Sequence, residues 1–143
     1  MKALTMCDGP KAVKIMRALS ARDAKELGRK VAPYDEDKWD LVREKYMTEI
    51  LVAKFSSSQE LKDYIVSDPR PFAEASPRDF LWGIGLSEDE AKAGVEWKGQ
   101  NLLGTCLDRA RDIIMEGESK KRKSDSEEGG SSSSSKEAKK VYT

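Results

Sequence analysis

The 143-residue chain contains no histidine. That absence removes Ser-His-Asp and Cys-His catalysis, histidine-bearing zinc sites and imidazole proton transfer together. Acid–base chemistry therefore falls to carboxylates, lysines or tyrosines. Cysteine is scarce: Cys7 and Cys106 stand far apart, without the CxxC spacing of a redox or zinc site. They read as two free, half-buried thiols of a reducing compartment. No apolar run approaches membrane-spanning length, and the N-terminus lacks the hydrophobic stretch of a signal peptide. The expectation is a soluble intracellular protein with no membrane partner and no metal or other cofactor. Net charge is absent too, with 26 basic and 26 acidic residues. That balance excludes a general nucleic-acid footprint, so any such contact must be local.

What is present divides into a body over residues 1–117 and a Ser/Lys/Glu-rich tail over 118–143, the latter expected to be disordered. Helix patterns dominate the body. One begins near Asp8-Gly9-Pro10 and places Val13, Met16 and Leu19 on one side. A second, "SARDAKELGRKV", opens on Ser20 with Asp23 three residues on. The third and strongest, "DEDKWDLVREKYMTEILVAKFSS", starts on acids and repeats Trp39, Val42, Tyr46, Ile50 and Ala53 at helical spacing. "SSQELKDYIVS" reads as a capped helix from Ser58, and "SEDEAKAG" as a turn or two. "GQNLLGTCLDRARDIIMEG" carries an inner stripe of Leu103, Leu107, Ala110 and Ile114. "PFAEAS" suits a short strand or an extended segment.

Between these helices lies "ASPRDFLWGIGLSEDE". Asp79 has two readings, a turn former or a pocket carboxylate. Its company favours the second. Trp82 offers a face for stacking, and Gly83 and Gly85 let the backbone approach a ligand. A carboxylate beside an indole and exposed amides suits cleavage at an anomeric carbon, where it stabilises an oxocarbenium-like charge or deprotonates water. Trp39 reads as a core anchor on periodicity alone. Lys25, Arg29, Lys54 and Arg111 read as solvated or salt-bridging cations, and Asn101 as a helix cap.

Taken in order, "KELGR", a tryptophan opening a helix that ends in "KF", "EASPRDFLWGIG" and "GQNLLGTCLDRAR" resemble the NADAR, or YbiA-like, family. "MKALTMCD" is similar to the lysine-bearing end of that family's N-terminal helix, and the likeness spans about residues 2–114. The segment between Gly85 and Gly99 is longer than in compact bacterial members. The resemblance implies an α+β, predominantly helical YbiA-like fold with a small, incomplete sheet. It implies an N-glycosidase acting on ADP-ribosyl or phosphoribosyl-aminopyrimidine (riboflavin-intermediate-like) bonds, on a nucleotide, an ADP-ribosylated substrate or nucleic acid carrying ADP-ribose. Trp39 and Asp79 would be catalytic; Lys2, Arg29, Lys54, Trp82, Gly83, Gly85 and Asn101 would bind substrate or shape its loop. The family's catalytic glutamate belongs upstream of Met1, together with a Phe-Ser-Asn-Phe segment. A truncated and inactive enzyme is one expectation that follows. The alternative is a non-catalytic module that binds ADP-ribose or a related nucleotide. The run Lys120, Lys121, Arg122, Lys123 reads as a nuclear-localisation signal, so the expected location is cytoplasmic or nuclear.

Overall fold

Five helix starts among the described residues are set by oxygen-bearing side chains, Asp8, Ser20, Asp35, Ser58 and Ser87, that accept amides the helix leaves unpaired. The computed structural model describes residues 1–128, and only the backbone of residues 121, 122 and 124–128. After a single turn, α1 (Lys2–Thr5), the Asp8 carboxylate accepts the Lys11 amide and opens α2 (Gly9–Met16). Ser20 opens α3 (Ala21–Arg29), Asp35 opens α4 (Glu36–Asp40), and α5 (Arg43–Phe55) follows after a break. Ser58 caps α6 (Gln59–Val66). Ser87 and Glu90 form a reciprocal capping box on α7 (Glu88–Lys92). The long α8 runs from Leu102 to Glu128. No helix among the described residues is long and apolar enough to cross a membrane.

Two apolar clusters hold these helices. The larger joins Leu51 and Phe55 of α5, Ile65 of α6, and Cys106, Ala110 and Ile114 of α8. Each fully buried large aliphatic or aromatic side chain contributes about 1.5–3 kcal/mol, so this α5–α6–α8 layer carries the fold. The smaller cluster joins Ala3, Met6 and Val31, with Ala12, Ile15 and Trp39 packed on it. The α8 stripe expected from spacing is the one that packs. Cys106 is fully buried, its thiol donating to the Glu44 carbonyl at 3.6 Å, whereas Cys7 is exposed.

Four expectations need correction. The single helix from Asp35 to Phe55 is two, because α4 packs on α1 while α5 packs on α8, and one straight rod cannot serve both partners. The helical phase restarts at Arg43, so Met47, Leu51 and Phe55 face the core, whereas Ile50 and Ala53 are exposed. On α2 the inner residues are Ala12 and Ile15; Val13, Met16 and Leu19 face solvent, Leu19 almost completely. Finally, α8 continues past Gly117 to Glu128, because residues 118–128 lack glycine and proline and hold good helix formers. Residues 129–143 of the assigned tail lie outside the described residues.

No strand forms among the described residues, so the helical part of the expected fold class holds and its small sheet has no counterpart there. Residues 71–76, expected as a strand or an extended segment, bind side chains of α8 and its start instead. The Phe72 amide donates to Asp108 Oδ1 at 3.3 Å. Arg111, only 8% exposed, donates to the Asp68 and Arg70 carbonyls at 2.8 Å each and to Asp108 Oδ1 at 2.9 Å. Its guanidinium also lies over the Phe72 ring at 5.2 Å. Hydrogen bonds from Arg70 hold the Asp68 carboxyl down to about 2.

Arg111→Met should therefore cost about 2–4 kcal/mol, because it strands two carbonyls and a carboxylate that the fork now satisfies. Arg111→Lys should recover little, since one ammonium cannot span three acceptors in a fork. Urea denaturation midpoints check both.

Candidate active site

The segment that joins α6 to α8 doubles back through a tight turn, and one carboxylate organises it. Asp79 Oδ1 accepts the amides of Leu81 at 3.0 Å and Trp82 at 2.7 Å. The four carbonyls that follow point at the start of α8. Phe80 O accepts from the Gln100 amide at 2.9 Å, Leu81 O from Leu102 at 3.1 Å, Trp82 O from Leu103 at 3.1 Å and Gly83 O from Asn101 at 3.0 Å. The turn thus closes the N-terminus of α8, supplying acceptors to amides that a helix start leaves unpaired.

Glycine is required where backbone meets backbone. A Cβ on Gly83 would stand 2.9 Å from the Asp79 carbonyl, and one on Gly99 only 2.2 Å from the Gly83 carbonyl. Gly85 adopts φ +69° with the Phe80 ring against it. These glycines let the turn and the α8 start nest together. Their close contacts are with the chain itself, and the shape they give the loop is their role here.

Asn101 is the linchpin of the nest. It is 6% exposed, and its φ is +54°. Its side-chain oxygen accepts the Glu74 amide at 3.0 Å, and its side-chain nitrogen donates to the Phe72 carbonyl at 2.9 Å. Its own carbonyl accepts the Thr105 amide, as an N-cap residue's does, but the side chain reaches back almost thirty residues instead of capping the helix. Asparagine tolerates the left-handed region better than most residues and offers both a donor and an acceptor.

The residues marked by sequence fall into separate groups. Asp79, Trp82, Gly83, Gly85 and Asn101 come together in this turn, with Trp82 half-buried against the α5–α8 core. Trp39 sits on short α4, not on the long helix, and packs on the N-terminal cluster; its ring centroid lies 6.3 Å from that of Tyr46 on α5. Lys2 stands in the same half, its ammonium 4.2 Å above the Tyr34 ring. Arg29 is exposed in the last turn of α3. Lys54 is exposed near the end of α5, its ammonium 5.3 Å from the Phe55 ring.

Two residues escaped the sequence reading. Tyr34 pairs with Lys2; burial pushes its phenol up, Glu36 and Asp40 push it further, and Arg43 opposes them. Arg111, read as a solvated or salt-bridging cation, does pair with Asp108 but as a buried clamp rather than a solvated one. Its place one turn past Leu107, on the same side as the apolar stripe, was the available signal.

Chemically, the turn presents a half-buried carboxylate with one oxygen pinned by two amides. No hydrogen bond among the described residues engages the other oxygen, Asp79 Oδ2. Such a group is oriented by the backbone and still able to face a ligand or water.

The sequence compares with known proteins as follows. The NADAR domain model matches residues 1–115. N-glycosidase R617 of Acanthamoeba polyphaga mimivirus is 36% identical over 114 residues, 78% of this chain and 67% of that protein. Protein irg-1 of Caenorhabditis elegans is 31% identical over 118 residues, 79% of this chain and 56% of that protein. N-glycosidase Npun_R5314 of Nostoc punctiforme is 29% identical over 90 residues, 62% of this chain and 55% of that protein. The chain thus spans between about half and two thirds of the length of these relatives. With the turn, its glycines and Asn101 falling inside a match that covers most of its length, the chain belongs to the NADAR domain family.

Proposed function

We propose that this chain acts on an N-glycosidic bond of an ADP-ribosyl or phosphoribosyl-aminopyrimidine substrate, with Asp79 as a catalytic carboxylate. Two relatives bear the name N-glycosidase, which supports the reaction class. The observation that carries the assignment is the asymmetric hold on Asp79: Oδ1 is fixed by Leu81 and Trp82, and Oδ2 is left to act. In the reaction the C1′–N bond breaks as the oxygen of water bonds to C1′. The leaving nitrogen takes up a proton, and the carboxylate stabilises the positive charge that grows on the sugar or takes the proton of water. In this reading Trp39, Lys2, Arg29 and Lys54, which stand apart from the turn, hold the remote, phosphate-bearing part of the substrate. Trp82, the glycines and Asn101 keep the loop in shape.

Cleavage of this kind uses two cooperating groups, and the turn provides one carboxylate. That supports a second reading, a module that binds ADP-ribose without turnover. Chromatography and calorimetry on the same chain separate the two. Release of free base, lowered about tenfold in Trp39→Ala but much less in Trp39→Phe, is expected for the glycosidase. Heat of ADP-ribose binding with no base released would favour the module, and neither signal would remove both readings.

A further inference from the structure

The three tryptophans differ in what covers them. Trp39 packs on the N-terminal cluster and Trp82 on the α5–α8 core, each half-buried. Trp97 joins neither cluster and is 50% exposed, on the loop between α7 and α8. A second ring in this region, Phe80, is 54% exposed and follows Asp79 directly in the chain. Apolar side chains exposed singly need no explanation. Two aromatic rings beside one oriented carboxylate are different, because that combination of apolar faces and a few placed polar groups is how ligands are held.

Backbone bonds tie the two rings' segments together. The Gln100 amide donates to the Phe80 carbonyl at 2.9 Å, and the Lys98 and Gly99 amides both donate to the Ile84 carbonyl at 2.9 Å. The Phe80 ring lies along Gly85: a Cβ on that glycine would stand 2.9 Å from Phe80 Cδ1 and 3.1 Å from Lys98 Cβ. Phe80 and Lys98 thus meet over Gly85, and Trp97 is the next residue, its Cα about 3.8 Å from that of Lys98. The charge around this loop is also distinctive. Residues 86–98 hold four acids and two lysines, and one of those lysines, Lys92, is paired with Glu88 at 2.6 Å.

We propose that Phe80 and Trp97 form a stacking surface for the planar base that leaves when the N-glycosidic bond breaks. The inference rests on the reading of Asp79 as the catalytic carboxylate and adds the residues that hold the leaving group beside it. Trp82, read from sequence as the stacking face, packs on the α5–α8 core, whereas Phe80 and Trp97 are the rings of this region that face solvent. The acids of the loop repel phosphate, so an uncharged base fits here and the phosphate-bearing part of the substrate lies toward Lys2, Arg29 and Lys54. The same acids disfavour an anionic membrane. A stable protein partner would need roughly 800 Å² on each side, more than two rings and the neighbouring Val95 present. Stacking on a ring face tolerates different bases.

The test uses 2-aminopurine riboside, a nucleoside without phosphate whose fluorescence falls when its base stacks on an aromatic ring. Titration with the full chain should quench it. Trp97→Leu and Phe80→Leu should each weaken that binding about tenfold, the scale of one lost base–aromatic stack, and Trp97→Phe should keep most of it. Circular dichroism checks folding, and Trp97→Leu, at an exposed loop position, serves if Phe80→Leu misfolds. Unchanged affinity in either folded variant would overturn the proposal. So would a loss confined to Trp39→Leu, or no quenching at millimolar concentrations of chain. Nucleoside binding and base release are separate readouts. Native base release by Asp79→Asn, with weakened nucleoside binding in Trp97→Leu, would sink the catalytic reading and leave the stacking surface standing.

Discussion

Gly104→Ala is expected to lower the stability of the chain by about 3–5 kcal/mol, although alanine is the better helix former by about 1 kcal/mol. Gly104 lies in the first turn of α8 and is buried. A Cβ there would stand 2.2 Å from the Phe72 carbonyl, 2.3 Å from the Asn101 side-chain nitrogen and 2.7 Å from its oxygen. None of these atoms can yield cheaply. Phe72 is held from its amide side by Asp108, and the Asn101 amide group bridges Phe72 and Glu74. Relief of the clash must break at least one bond to Asn101 and lift residues 72–74 off α8. Against a typical stability of about 5–15 kcal/mol, that loss moves the melting temperature by tens of degrees or abolishes the folded state. Differential scanning calorimetry measures it. A drop of less than about 1 kcal/mol would show that the nest is looser than drawn.

Asp79→Ala is expected to combine two losses. The Leu81 and Trp82 amides lose their acceptor, at a cost of about 1–2 kcal/mol of stability. Base release should fall by at least about 100-fold, the usual scale for removing a group that moves a proton or balances charge in the transition state. The stability loss is modest because α8 still pulls on the same turn through the carbonyls of residues 80–83. The catalytic loss is not, because among the described residues no other carboxylate is tied into this turn by a hydrogen bond.

Much of the architecture was legible because it is local. Asp8, Ser20 and Ser58 cap the helices that their spacing announced, and the α8 stripe packs as its period required. What escaped depends on contacts distant in sequence. Nothing near Leu41 reveals that α4 and α5 have different partners, so the break and the shift of the buried face to Met47, Leu51 and Phe55 were invisible. Val13, Met16 and Leu19 look like a core face and are not, because the small N-terminal cluster is filled from Ala12 and Ile15. The same holds for the site. The Asp79–Gly83 stretch marked the turn, and its likeness to one family is what suggested the chemistry proposed for it. That Asn101 reaches residues 72 and 74, or that Arg111 holds residues 68 and 70, is a matter of tertiary packing. Charge offers a parallel case. The total is zero, yet residues 1–30, which hold α2 and α3, carry eight basic and three acidic side chains.

The most direct measurement is the rate of base release by Asp79→Asn, taken together with its melting temperature. Asparagine keeps an oxygen at the position of Oδ1, so the Leu81 and Trp82 bonds and the turn should persist and the melting temperature should stay within a few degrees of the native value. It removes the charge. The account predicts a loss of at least about 100-fold in kcat/KM at nearly unchanged stability. A variant that melts like the native chain and releases base at the native rate would contradict it, reducing Asp79 to the turn former that a lone aspartate usually is.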